Sequence, residues 1–263
     1  MLRNVRTLDD VMELLDGLFA PGADRWTARA GDWWDGFYAD RSRGVPFFAA
    51  KPDENLAGYL ERGLVTPGRA LDVGCGPGRN AVFLARRGFQ VDAVDVSATA
   101  IAWAEERSEG LGIRYRHGDA FTTEGSYDLV YDSGCFHHLP PHRRIGYLAL
   151  LDRVLVPGGH FALTCFTAEE GTTTPDAELY RQAGLSGGVG YDPDDLRWVF
   201  QDLAEVELRR MTEEAPDSAF FGKSFLWTGL FRKQRVQPPN AGVRQAERPA
   251  VATCESRDNP LLQ

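Results

Sequence analysis

Cysteine is scarce in this sequence of 263 residues. The four that occur are too few to stabilise a chain of this length by disulfide bonds, and none of them stands at the paired spacing of a zinc site. The sequence therefore argues against a disulfide framework and a structural zinc site, and a reducing cytoplasm is the expected compartment. The four cysteines are Cys75, Cys135, Cys165 and Cys254.

Long hydrophobic runs are also missing. A membrane-spanning helix needs about 20 consecutive apolar residues, whereas the first residues of this chain mix acidic with apolar side chains. We therefore expect no signal peptide, no transmembrane helix and no membrane partner. The sequence also lacks the clustered oxygen ligands that bind magnesium, so no metal is expected.

Basic residues are fewer than acidic ones: the sequence has 29 Lys and Arg residues and 38 Asp and Glu residues, which gives a formal net charge of -9. Proteins usually meet a phosphate backbone with a basic face, so we expect no nucleic-acid partner. A small-molecule partner fits this charge better. The hydrophobic fraction of 43% is enough for a sizeable core, and we expect one main domain, as a monomer or a homodimer.

The first 66 residues are expected to form an N-terminal helix and an aromatic cap. Apolar residues recur with helical spacing over 7–19, which predicts an amphipathic helix that ends near Pro21 and Gly22. Aromatic side chains are then dense between Trp33 and Phe48. We interpret this segment as a cap, outside any regular strand or helix, that folds over a ligand.

From Arg69 onward, short apolar runs alternate with helical patterns. Such alternation predicts right-handed crossovers and a mainly parallel sheet with helices on both faces. The last two strands are expected to form an antiparallel pair at one edge. The domain should span residues 67–233, and the polar, proline-bearing segment 234–263 should be a disordered tail. The strands are predicted at 70–73, 91–96, 113–115, 127–131, 160–166, 206–211 and 225–231.

The most informative stretch is LDVGCGPGRN, residues 71–80, between the first predicted strand and the first helix of this domain. Parallel sheets bind ligands there, beside the free N–H groups of a helix N-terminus. A dinucleotide fingerprint would place its third glycine at Arg79, but here the third glycine is Gly78. The carboxylate of Asp72 would also repel a diphosphate, whereas it would attract a cofactor that carries an ammonium and a sulfonium group.

This loop resembles motif I of the class I S-adenosylmethionine-dependent methyltransferases, and the resemblance extends over about 69–233. It implies a Rossmann-like fold with a mostly parallel seven-stranded sheet and S-adenosylmethionine as the cofactor. The spacing of tryptophans before the first strand is loosely similar to the thiopurine and thiol methyltransferase branch. In the loop, the resemblance assigns cofactor binding to Asp72, Gly74, Cys75, Gly76, Gly78 and Asn80.

The resemblance also assigns positions at the ends of the later strands. Asp95, with Val96 beside it, stands where the family binds the two ribose hydroxyls, for which a carboxylate offers two matched acceptors. Asp119 and Ala120 match the adenine site, and Asp132 with Ser133 matches the segment that flanks the reacting methyl group. From the cap, the candidates for contacting cofactor or substrate are Tyr38, Arg41 and Arg43.

The histidine pair His137–His138 follows the fourth strand of the domain and could supply a general base, which typically contributes about 10² to 10⁴-fold to a rate. The same two residues could instead brace the loop or form the pocket wall. Residues 167–190 are rich in glycine and threonine and are expected to form a second lid.

The expected function is methyl transfer from S-adenosylmethionine to an oxygen, nitrogen or sulfur atom of a small molecule, in specialised metabolism or detoxification. Two alternatives stay open. One is a Rossmann-fold protein that binds the cofactor without transferring its methyl group, as a cyclase or a binding module. The other is an NAD-dependent oxidoreductase.

Overall fold

A computed structural model gives the architecture, and it describes residues 5–19, 25–27 and 29–234. The predicted end of the first helix at Pro21 and Gly22 lies outside the described residues, as does the predicted tail from residue 235 onward. Within the described residues, no helix combines the length and the apolar character that a membrane span requires.

A seven-stranded sheet forms the centre of the molecule, with the strand order β3-β2-β1-β4-β5-β7-β6. Strand β7 runs antiparallel to its neighbours β5 and β6, and all pairs among β1 to β5 are parallel. The predicted mostly parallel sheet with an antiparallel edge is thus confirmed. The strands are β1 Arg69–Val73, β2 Gln90–Asp95, β3 Arg114–His117, β4 Tyr127–Ser133, β5 Leu155–Phe166, β6 Leu203–Arg210 and β7 Leu226–Lys233.

Eight α-helices are present in the described residues. Helix α5 begins after Ser97 because the Ser97 hydroxyl accepts the N–H of Ala100 at 3.0 Å. Helix α8 begins at Pro193, behind a capping box formed by Asp192 and Asp195. The helices are α1 Leu8–Phe19, α2 Gly31–Ala39, α3 Glu54–Glu61, α4 Arg79–Arg86, α5 Ala98–Arg107, α6 Arg143–Val154, α7 Asp176–Gln182 and α8 Pro193–Val199.

The aromatic segment differs from the prediction, because most of it is helical. Residues Gly31–Ala39 form α2, so the expectation of a cap without regular structure was wrong at this point. The aromatic residues at 33, 34, 37 and 38 are spaced three and four apart, which places them as neighbours on a helix surface. Phe37, for example, stacks on Trp33 with the ring centroids 5.5 Å apart.

Helix α2 packs on α5 and thereby places the cap over the carboxyl ends of the strands. Tyr38 and Phe48 are buried in one cluster with Ala100 and Trp103 of α5. The contact is also polar, because a carboxylate oxygen of Asp35 accepts hydrogen bonds from the Ser97 hydroxyl at 2.6 Å and the Thr99 N–H at 2.9 Å. The cap is therefore fixed to the turn that follows β2.

Candidate active site

A cavity of about 380 Å³ opens at the carboxyl ends of the parallel strands. Its wall includes residues that follow β1 and β4, the two central strands between which the order of connection reverses. Ligands of open α/β sheets bind at this place. The wall residues contributed by the strand ends are Gly74, Asp95, Val96, Gly118, Asp119, Ala120, Phe121, Ser133, Gly134 and Cys135.

The glycines of the loop after β1 serve mainly to fold the loop itself. Gly74 has φ +63°, and an added Cβ would lie 2.8 Å from the Cβ of Cys135. Gly78 has φ +76°, and its Cβ would lie 2.8 Å from the hydroxyl oxygen of Tyr115. Of the loop residues assigned to the cofactor, only Gly74 lies on the cavity wall. The others stand outside it, namely Asp72, Cys75, Gly76, Gly78 and Asn80.

Asp95 ends β2 and places its carboxylate on the wall. One oxygen accepts the N–H of Gly76 at 2.8 Å and the other accepts the N–H of Ser97 at 2.8 Å. Burial raises the pKa of this carboxyl group to about 6, although the two backbone hydrogen bonds oppose the shift. Each oxygen keeps a lone pair for a further donor, so the group can accept two ligand hydroxyls.

Asp72 lies on β1 beneath the loop and is almost completely buried. Burial raises the pKa of its carboxyl group to about 8; nearby Arg79 lowers it, whereas Asp53 and Asp132 raise it further. Its Oδ2 atom has no hydrogen-bond partner among the described residues. A cationic ligand group nearby would stabilise the ionised form of this buried carboxyl group.

Arg79, which the sequence analysis did not single out, is a charged residue of the wall. Its guanidinium is paired with the fully buried Asp53, donates to Ser133 Oγ at 2.9 Å and lies 4.4 Å from the ring centroid of Phe221. The position of Arg79 at the start of α4 could have indicated a special role, because a cation in the first turn of a helix is electrostatically disfavoured and needs a compensating partner.

The Asp53 carboxylate also accepts hydrogen bonds from Asn80 Nδ2 at 3.0 Å and from the Tyr131 hydroxyl at 2.6 Å. The Asn80 side chain is thus engaged with the N-cap of α3 and lies outside the cavity wall, so the structure does not bring it together with the other predicted cofactor residues. Together these groups form a buried polar cluster that ties α3 and α4 to β4.

Of the other predicted residues at the strand ends, Asp119 and Ser133 lie on the cavity wall, and Asp132 is buried behind it. Asp132 is fully buried and accepts the N–H of Cys135 at 2.8 Å and the Tyr147 hydroxyl at 2.7 Å. It therefore shapes the turn after β4, while its neighbour Ser133 lies on the wall. Asp119 also lies on the wall, and its Oδ1 accepts the N–H of Phe121 at 2.8 Å.

His137 and His138 both line the cavity. His137 stacks on Phe166 with 3.8 Å between the ring centroids, and His138 meets Trp34 edge-on at 5.2 Å. Burial lowers the pKa of His137 well below its usual value and that of His138 to about 4. Both imidazoles are therefore neutral at pH 7, and the Nδ1 atom of each has no hydrogen-bond partner among the described residues.

The cap brings one of its three candidate residues to the site. Tyr38 lies on the wall, and burial raises the pKa of its hydroxyl well above 10. Arg41 instead pairs with Glu106, and the exposed Arg43 lies 4.9 Å from the ring centroid of Phe37. Both arginines follow the end of α2 and lie outside the wall, so the prediction that they contact the ligand is not supported by the structure.

Residues 167–190 contain α7 and pass beside the histidine pair. The N–H of Val189 donates to the backbone carbonyl of His137 at 2.7 Å, and Glu170 lies on the cavity wall. The segment therefore borders the site, as a lid would. In the part of the chain that the structure describes, no three potential metal ligands come together.

Comparison with known proteins identifies the central part of this chain. Residues 70–159 match the model of a methyltransferase domain. An uncharacterised methyltransferase of Mycobacterium tuberculosis is 37% identical over 99 residues, 36% of this chain and 49% of that protein. The 2-heptyl-1-hydroxyquinolin-4(1H)-one methyltransferase of Mycobacteroides abscessus is 30% identical over 127 residues, 46% and 56% of the two chains. The chain thus spans about half the length of the curated relatives it matches.

Solved structures share the fold. A structure from work on the conversion of a disulfide bond into a thioacetal group during echinomycin biosynthesis has a TM-score of 0.60 and 23% identity, over 79% of this chain and 94% of that chain. The magnesium protoporphyrin IX methyltransferase of Synechocystis, solved with S-adenosylhomocysteine bound, has a TM-score of 0.56 and 16% identity, over 78% and 97% of the two chains. At these identities the likeness establishes the fold.

Proposed function

We propose that this chain, which has the class I S-adenosylmethionine-dependent methyltransferase fold and a methyltransferase domain over residues 70–159, transfers a methyl group from S-adenosylmethionine to a small molecule. The observation that carries the proposal is the Asp95 carboxylate at the end of β2, which lies on the wall of the cavity that opens where the strand order reverses. The cavity of about 380 Å³ and the net charge of -9 favour a small-molecule acceptor over a nucleic acid.

The residues present fit the cofactor. Asp95 would hold the ribose hydroxyls, and Asp119 with Ala120 would border the adenine. Asp72 lies behind the loop with its Oδ2 unpartnered, and because its pKa is about 8 it would present a polar but uncharged carboxyl group to the cofactor at pH 7. Arg79 brings a guanidinium to the same wall and would hold the cofactor carboxylate.

When bound, S-adenosylmethionine supplies a methyl group that is already activated by its sulfonium. The protein then has to position the acceptor and exclude water. Tyr38 and Trp34 cover the site from the cap, and His137 and His138 present neutral rings to it. A neutral imidazole can accept a proton, but the lowered pKa makes each ring a weak base. This favours acceptor atoms that are nucleophilic without prior help from a strong base.

Isothermal titration calorimetry with S-adenosylmethionine and NAD side by side tests the proposal. We expect binding of S-adenosylmethionine and none of NAD. Asp95→Asn should weaken binding by about 10- to 100-fold, because one or two hydrogen bonds to a charged acceptor are lost. Affinity in the native protein should increase between pH 5 and 7 as Asp95 ionises, and the Asp95→Asn variant should lose that dependence. Absence of heat with folded, ligand-free protein would contradict the proposal.

A second measurement separates transfer from binding alone. S-adenosylhomocysteine release is followed over a panel of small acceptors that present oxygen, nitrogen or sulfur. Release with at least one acceptor is expected. Binding of the cofactor without release from any acceptor would favour the alternative of a binding protein or a cyclase.

A further inference from the structure

Aromatic rings form a continuous part of the cavity wall. Trp34, His138, His137, Phe166 and Phe225 follow one another, and the successive ring centroids are 5.2, 4.3, 3.8 and 6.3 Å apart. These rings come from α2, the turn after β4, the end of β5 and the loop before β7. Phe47 and Phe221 also lie on the wall. Flat ring faces and edges of this kind complement another planar ring.

Arg25 gives the same wall a positive charge. Its guanidinium lies 5.0 Å from the ring centroid of Trp26 and 5.2 Å from that of Trp33. Its backbone carbonyl accepts the indole N–H of Trp34 at 3.1 Å. The side chain is thus held beside the aromatic rings of the cap.

The two other arginines of the wall show how Arg25 differs. Arg79 is paired with Asp53, and Arg143 with Asp16, whereas no acidic side chain of the described residues forms an ion pair with Arg25. Glu170 is the acidic wall residue contributed by the lid segment, and it is exposed. Water therefore screens the Glu170 carboxylate, while Arg25 is partly desolvated and, without an ion-pair partner among the described residues, can offer its cation to a ligand.

We propose that the acceptor is a planar aromatic molecule with an anionic substituent, that its ring packs on the aromatic wall and that its anion binds Arg25. This rests on the proposed function, because it assigns the occupant of the acceptor end of the same cavity. A carboxylate fits the guanidinium best, since it can accept two parallel hydrogen bonds.

Equilibrium binding tests the proposal without any turnover. The full chain is saturated with S-adenosylhomocysteine and titrated with 2-naphthoate, with its neutral isostere 2-naphthamide, and with the saturated analogue decahydronaphthalene-2-carboxylate. We expect 2-naphthoate to bind at least about tenfold more tightly than either of the others, because only it offers both the ring and the charge. Each titration is repeated without S-adenosylhomocysteine.

Arg25→Gln should reduce the affinity for 2-naphthoate about tenfold or more, to the level of 2-naphthamide. Arg29→Gln, which changes an exposed arginine nearby that lies outside the wall, should leave it unchanged. An unchanged S-adenosylhomocysteine affinity and circular dichroism spectrum show that the Arg25 variant is folded.

Equal binding of 2-naphthoate and 2-naphthamide, equal binding of the saturated analogue, or an undiminished affinity in the Arg25 variant would each overturn the inference. Failure of the proposed function looks different. In that case S-adenosylhomocysteine does not bind, while the preference for 2-naphthoate and its dependence on Arg25 persist in titrations without it.

Discussion

Asp53 is the residue on which the buried polar cluster depends. Its carboxylate is fully buried and is shared by Arg79, Asn80 and Tyr131. A buried ion pair adds little net stability when it is complete, because both charges lose water, but removal of one partner leaves an uncompensated charge in the interior. The cluster therefore fixes the position of Arg79 on the cavity wall more than it stabilises the fold.

Asp53→Ala should lower the free energy of unfolding by about 3–5 kcal/mol, because Arg79 remains buried without its partner. Urea denaturation followed by circular dichroism measures the change. Glu106→Ala, which breaks the exposed pair with Arg41, is the control and should have a much smaller effect. A similar decrease in the free energy of unfolding in the two variants would show that the buried Asp53 pair matters no more for stability than an exposed ion pair.

His138 offers a test of base catalysis. With a pKa of about 4, lowered by burial, its imidazole is deprotonated throughout the neutral range and is a weak base. We expect His138→Gln to reduce the single-turnover rate by less than about tenfold, against the 10² to 10⁴-fold that a general base contributes. The rate of the native protein should show no histidine inflection between pH 6 and 8. A larger loss would assign proton transfer to this residue.

At the scale of elements, α2 is the part of the cap that the site requires. It carries Trp34 and Tyr38 to the wall, and Asp35 binds it to the turn before α5. Asp35 thereby satisfies an N–H in the first turn of α5 from another element. The cofactor site and the cap are thus connected by this carboxylate as well as by the packing of Tyr38 and Phe48 on α5.

Asp35→Ala should loosen α2 and weaken S-adenosylmethionine binding by roughly tenfold, since loss of a capping carboxylate costs about 0.5–2 kcal/mol. Calorimetry measures the affinity, and limited proteolysis measures cleavage within residues 25–50. Asp32→Ala is the matched control, because Asp32 is an exposed aspartate of the same helix. If both variants behave alike, the Asp35 contact does not hold the cap.

For the molecule as a whole, buried carboxyl groups make stability depend on pH. The folded state keeps Asp72 protonated up to a pKa of about 8, whereas an unfolded chain releases that proton near pH 4. The folded state therefore binds more protons between these values, and stability decreases as pH rises. Below about pH 6.5, the lowered pKa values of His137 and His138 act in the opposite direction.

Between pH 7 and 8 Asp72 should dominate, because the histidines of the unfolded chain are by then mostly deprotonated, and the free energy of unfolding should fall by about 0.7 kcal/mol, given 1.36 kcal/mol for each full pKa unit. Urea titrations of the ligand-free protein at the two pH values measure the difference. Asp72→Asn should abolish it. A native protein that is equally stable at both values would show that Asp72 is ionised in the folded state.

The alternation of strands and helices, the glycine-rich turn and the position of Asp95 could all be predicted from the sequence. These features are local, because hydrophobic periodicity and turn residues act over a few positions along the chain. The helical character of Gly31–Ala39 was equally local, through the three- and four-residue spacing of its rings, and could have been predicted. Aromatic density does not distinguish a helix from an irregular segment, whereas the spacing of the rings does.

The tertiary structure alone decided which charged residues reach the cavity. Arg79 faces it and Arg43 does not, because the first is oriented by Asp53, 26 positions away in the chain, and the second follows the end of α2 into solvent. Likewise, Asn80 is drawn away by Asp53, and Arg25 is held by tryptophan rings. Long-range pairing and packing set these orientations, and no short-range pattern in the sequence encodes them.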